Sequence, residues 1–157
     1  MSKSIQQWLD EYGSSHKNKT NKIIHWFCVP LIFWTIFAAI YVVPAPSFMA
    51  EVSPHLNWAS IAGVLTILFY LRLSLPLAVG MSLFTGVCYA SIVAFSAAFP
   101  GYLLWFAGIL FVILWAMQFY GHKVEGKKPS FFKDIQFLMI GPAWLMSFIY
   151  QKLGLKY

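Results

Sequence analysis

The sequence predicts an all-α, polytopic membrane helical bundle. It reads as four transmembrane helices, an N-terminal amphipathic helix and a C-terminal re-entrant or bent helix, in a single integral membrane domain over residues 1–157. Three observations carry this. The chain is 60% hydrophobic and only 10% charged, where a soluble domain carries about 25%. Mean hydropathy is +0.69. No Asp, Glu, Lys or Arg occurs between Arg72 and Lys123.

The elements follow in order. Residues 4–13 form a short amphipathic helix, because Ile5, Trp8, Leu9 and Tyr12 recur at i, i+3, i+4 and i+7. Gly13 is its expected C-cap, and residues 14–21 are a polar connector. With Lys3 beside it, the helix is expected at the membrane interface or over the bundle. Span one covers residues 23–43, roughly 31 Å at about 1.5 Å per residue, enough to cross the hydrocarbon core. Pro30 can bend it; Pro44 and Pro46 end it. This run is too long for a signal-peptide core and is expected to remain as an anchor.

Residues 44–56 read as a loop with one charge, Glu51. A short span two covers residues 56–71, with Arg72 at its end. Span three covers residues 73–99, with Pro76 and Gly80 near its start. Pro100-Gly101 signals a turn, and span four covers residues 102–121. A polar stretch over residues 122–129 precedes the last apolar segment, residues 135–150, which Gly141-Pro142 interrupts. That segment is marginal for a crossing, so a re-entrant or bent helix is expected, with a fifth crossing as the alternative.

Charge placement sets topology and excludes one class of partner. The net charge is +6, but the basic residues cluster beside apolar spans and no nucleic-acid recognition motif accompanies them. No nucleic-acid partner is expected; membrane lipids are. With four crossings, Lys17, Lys19, Lys22, Arg72, Lys123, Lys127, Lys128 and Lys133 share one face, opposite Glu51. The positive-inside rule makes that face cytoplasmic, in a bacterial inner membrane or an ER-like membrane. Cys28 and Cys88 lie inside spans without CxxC spacing and read as apolar filler.

The same topology gathers His16, His25 and His122 on the cytoplasmic side. His55 falls on the far side, roughly 30 Å away. Asn21 lies four residues before His25, and Glu125 three after His122, so each pair can share a helix face if the helix continues past Gly121. Imidazole suits iron, zinc and copper; a carboxylate is harder and fits iron or manganese. Three histidines with open positions can bind ferrous iron and oxygen, and two histidines with Glu125 would form a facial triad. Tyr12, Asn21, Tyr120 and Asp134 are candidates to orient the ligands. Lys123, Lys127 and Lys128 are candidates to receive a carboxylate headgroup whose acyl chain lies in the bilayer, where each buried CH₂ contributes about 0.8 kcal/mol. Without metal, the competing reading is a non-enzymatic membrane lipid-binding or scaffold protein.

Two motifs add a resemblance. Tyr12-Gly-Ser-Ser-His16 with Asn21, His25 and Pro30, and Gln118-Phe-Tyr-Gly-His122 followed by Glu125-Gly-Lys-Lys-Pro129, resemble those of the small membrane 2-hydroxy fatty acid dioxygenases. That family is related to the fungal α-oxidation enzyme of phytosphingosine breakdown, and the resemblance covers nearly the whole chain. It implies an Fe2+-dependent α-oxidation in which a 2-hydroxy fatty acid and O2 give a fatty acid one carbon shorter. It further implies that His16, His25 and His122 are the functional histidines, with Glu125 at an acidic position of the second motif. The substrate's hydroxyl and carboxylate can chelate iron, so no flavin or nicotinamide is required.

Overall fold

The computed structural model describes residues 3–127 and 135–157, which are helical with no strand among them. Helix α1 (Ile5–Gly13) opens with a capping box: Ser4 Oγ accepts from the Gln7 amide, and Gln7 Oε1 accepts from the Ser4 amide. Gly13 is the last helical residue rather than the expected C-cap, which is Ser14. A Cβ on Gly13 would lie 3.1 Å from Trp144 Nε1, so a close approach explains this glycine. Helix α2 (Lys19–Tyr41) starts four residues earlier than hydropathy suggests, because Asn18 Oδ1 accepts from the Thr20 amide at 2.8 Å. Polar residues, Asn21 and His25 among them, are thereby drawn into a regular helix.

The expected loop over residues 44–56 contains a short helix, α3 (Ser47–Val52). Helices α4 (Trp58–Leu73) and α5 (Leu75–Ala98) are separated by Ser74 alone, whose extended backbone (φ −164°, ψ 122°) reverses the chain. Helix α6 (Leu103–Glu125) continues through Gly121. It stops at Gly126, whose φ of 73° is left-handed, while the Lys127 amide bonds back to the His122 carbonyl at 3.2 Å. Helix α7 (Ile135–Lys152) carries Pro142 inside it and runs through the Gly141-Pro142 pair expected to interrupt it. Among the described residues three helices, α2, α5 and α6, are long and apolar enough to cross a membrane; α4 is apolar but only 16 residues long.

Helix α2 is central, packing against α4, α5, α7 and above all α6, while α1 lies on α7. Between lipid-facing helices the driving force is close packing, which favours small residues at crossings. The α2–α6 crossing is built this way. A Cβ on Gly121 would sit 2.5 Å from Asn21 Oδ1, so no larger residue fits without a shift. Helix α7 is held by two buried tyrosines. Tyr70 Oη donates to the Met139 carbonyl at 2.6 Å, near the ladder that Pro142, lacking an N–H, interrupts. Tyr150 Oη donates to the Pro76 carbonyl at 2.6 Å and accepts from the Gly80 amide at 3.2 Å, joining α7 to the first turns of α5.

Gly121→Ala is expected to cost about 1–3 kcal/mol, the usual range for overpacking. Gly86→Ala, where a Cβ meets nothing within 4 Å, should be near neutral. Thermal unfolding in detergent checks the contrast, and equal melting temperatures would contradict the α2–α6 crossing.

Candidate metal centre

Three histidines from three separate stretches of chain converge beneath α1. His16 sits on the α1–α2 connector, His25 in the second turn of α2 and His122 in the last turn of α6. All three are at least 96% buried, and one ligand nitrogen from each lies within 4.8 Å of the others. Ring centroids are 4.2 Å apart for His16 and His25, 4.9 Å for His25 and His122, and 5.1 Å for His16 and His122.

Local backbone fixes two of the rings. His16 Nδ1 is 2.7 Å from the Tyr12 carbonyl, and His25 Nδ1 is 2.9 Å from the Asn21 carbonyl. A carbonyl oxygen only accepts, so both Nδ1 atoms carry the proton and both Nε2 atoms present a lone pair. Tyr12 also stacks on His16, with centroids 4.3 Å apart and planes 11° off parallel. His16 Nε2 and His122 Nδ1 are buried with no hydrogen-bond partner among the described residues. Leaving such atoms unpaired costs about 1–3 kcal/mol each, which a metal ion on their lone pairs would offset. The donor set therefore fits a transition metal that accepts imidazole.

The cavity at the cluster is about 40 Å³. Val29 and Ile32 of α2, Trp115 and Gln118 of α6, and Phe137, Leu138 and Gly141 of α7 wall it in. Burial pushes His16 down from 6.5 to about 4, although the Tyr12 carbonyl favours its protonated form. His16 is thus neutral near pH 7, the state a metal ligand requires.

The remaining candidates fall elsewhere. Glu125 is placed as a clamp rather than as a member of the histidine cluster. Its Oε1 accepts from the Lys17 amide and its Oε2 from the Asn18 amide, each at 2.8 Å, and Oε2 also accepts from Asn21 Nδ2 at 3.2 Å. It thereby ties the end of α6 to the connector that carries His16. Asn21 holds His25 by its carbonyl and the connector by its side chain, which donates to the Ser15 carbonyl. Tyr12 supports His16 as expected. Tyr120 does not take part: it is 60% exposed, two residues from His122 and so on the other side of α6. Lys123 is exposed, and Lys127 Nζ donates to the Ser14 carbonyl at 2.8 Å; neither lines the cavity. Lys128 and Asp134 lie outside the described residues. Two residues not singled out from sequence matter here. Gln118, one turn before His122, is buried in the cavity wall within hydrogen-bonding reach of His25. Gly121 admits Asn21. The helical spacing 118, 121, 122, 125 is the signal that marks them.

The family model described as 2-hydroxy-palmitic acid dioxygenase Mpo1-like matches residues 2–153. Neither the curated proteins nor the solved structures gave a match.

Two outcomes are expected here. Glu125→Ala should speed amide hydrogen exchange at Lys17 and Asn18 about ten-fold or more, since a charge-assisted bond contributes roughly 1.5–3 kcal/mol and partial exposure reduces that. Glu125→Gln, which keeps one acceptor oxygen, should fall between; unchanged exchange in the alanine variant would contradict the clamp. In the metal-free protein, His16 is neutral when folded and takes up a proton near 6.5 when unfolded. Its share of stability is complete above about pH 6.5 and is lost as pH falls towards about 4. Melting temperature followed over that window should drop less steeply in His16→Gln, and an identical slope would contradict a buried neutral His16.

Proposed function

Because the chain belongs to the Mpo1-like family of 2-hydroxy-palmitic acid dioxygenases, we propose that it is an Fe2+-dependent membrane dioxygenase that converts 2-hydroxy fatty acids to fatty acids one carbon shorter. The observation that carries this is the trio of buried imidazoles lining one small cavity, with His16 Nε2 and His122 Nδ1 unpartnered among the described residues. His16, His25 and His122 are the residues that would hold the iron. Bound there, ferrous iron supplies oxygen-activating redox chemistry and a Lewis acid for the substrate's hydroxyl and carboxylate oxygens. One O2 balances the net reaction. The hydroxyl-bearing carbon becomes the new carboxyl, the old carboxyl leaves as carbon dioxide, and water is the remaining product. Four electrons pass from carbon to oxygen, so no external reductant is required.

The chain's own residues do the positioning. The Tyr12 and Asn21 carbonyls hold two rings in the tautomer that presents Nε2 inward. Glu125 fixes the connector over the cavity. Val29, Ile32, Trp115 and Leu138 make an apolar wall that limits water around the reacting group. Lys123 and Lys127 put basic charge at the surface, outside the cavity, where carboxylate headgroups gather. In this reading α4 makes the fourth crossing, and the centre lies at the cytoplasmic face, where the basic residues collect.

Anaerobically purified, iron-loaded protein is expected to convert 2-hydroxypalmitate to a fifteen-carbon acid only when O2 is supplied. His122→Ala should lower turnover at least about a hundred-fold while the protein stays folded. A folded, iron-loaded protein that leaves 2-hydroxy acids of every length untouched would overturn the assignment.

A further inference from the structure

A cavity of about 40 Å³ cannot hold an acyl chain. A water needs about 10–15 Å³ of such space, so the cavity suits an ion and a few small groups. The chain of an amphiphilic substrate must therefore lie outside the cavity but continue from it. The α2–α6 seam offers such a path. On α2, His25, Val29 and Ile32 line the cavity, and Ile36, Ala39 and Val43 continue the same face. On α6, Gln118 and Trp115 line the cavity, and Phe111, Gly108 and Leu104 continue that face. Ile32 to Ile36 and Trp115 to Phe111 are each about one helical turn, roughly 5.4 Å, so the groove begins about one turn beyond the cavity on the same two faces, with Leu110 and Leu114 packed at the junction.

Beyond this junction the same two helices line a groove of about 480 Å³. Its walls are apolar, the Thr35 hydroxyl being engaged by the Ile32 carbonyl at 2.8 Å. The rows from His25 to Val43 and from His122 to Leu104 each rise roughly 27 Å. One leaflet's acyl chains occupy roughly 15 Å, half of the hydrocarbon core, so a long chain fits along the seam. The space on another side of α2, beside Trp26, Pro30 and Phe84, is only about 90 Å³. The groove beside Leu83 and Gly86 is lined by α5 alone and continues neither face of the cavity.

We propose that the α2–α6 groove holds the substrate's acyl chain, and that Gly108 and Ala39, which line it from α6 and α2, set the chain length accepted. This rests on the dioxygenase reading, which places the hydroxy-acid head at the histidines. A Cβ on Gly108 meets nothing within 4 Å, so a larger side chain there fills the groove without disturbing the fold.

The test uses the full-length, iron-loaded protein in lipid nanodiscs and measures both binding and turnover of 2-hydroxypalmitate and 2-hydroxyoctanoate. Gly108→Leu is expected to lower the long-to-short ratio of both quantities about ten-fold, through the loss of two or three methylene contacts. Ala39→Phe, from the opposite helix, should act in the same direction. Gly86→Leu, on the lipid face of α5, should leave the ratio and the iron content at wild-type values. An unchanged ratio in both groove variants overturns the proposal and leaves the groove to bulk lipid; so does an equal shift in Gly86→Leu. A wild-type protein that binds both acids yet converts neither overturns the dioxygenase reading, and the binding ratios then decide the groove on their own.

Discussion

The close crossing of α2 and α6 at Asn21 and Gly121 is the constraint on which the rest of the site depends. With no Cβ on Gly121, the Asn21 side chain approaches the α6 backbone. That approach sets His25, one turn beyond Asn21, against His122, the residue after Gly121. It also brings Glu125, one turn further along α6, within 2.8 Å of the Lys17 and Asn18 amides at the start of α2. The third histidine follows: the connector is held from below by Glu125 and Asn21 and from above by Tyr12, so His16 can only point inward. One glycine and one asparagine thus translate into a three-imidazole cluster at the edge of an apolar bundle.

The cluster's position was legible in the sequence because it depends on topology alone. An even number of apolar runs separates His25 from His122, and the charge-free stretch after Arg72 leaves little freedom in counting them. The supporting residues were harder to assign, because they depend on helical phase and on where helices end. Once α6 is seen to run to Glu125, positions 118, 121, 122 and 125 share one face and Tyr120 faces away. Gly121 looked like a terminator, yet it is a contact. Glu125 had the chemistry of a ligand, and its oxygens accept from two backbone amides just before α2. The path of α7 was also hidden, since Gly141-Pro142 usually ends a helix. Tyr70 ties this part of α7 to α4 by donating to the Met139 carbonyl.

The arrangement joins two requirements that oppose each other. Polar groups at membrane depth are costly and persist where they are paired or used. Here the buried polar groups gather at the three imidazoles, Asn21 and Gln118, with α1 and α7 packed around them, while the rest of the seam is apolar apart from the Thr35 hydroxyl. A substrate with a polar, metal-chelating head and a long apolar tail has the same division. In the reading developed here, the histidines, the 40 Å³ cavity and the groove below them are a negative of that molecule. The neutral state of His16 near pH 7 keeps its Nε2 lone pair available without competition from protons.

The central claim is that His16, His25 and His122 together bind one metal ion. The most direct measurement is X-ray absorption on the metal-free protein titrated with Fe2+ under anaerobic conditions. One equivalent of iron should bind, with outer-shell scattering from three imidazole rings and the remaining positions filled by lighter oxygen ligands. Fewer than three imidazoles, or no bound iron in a folded protein, would contradict the account.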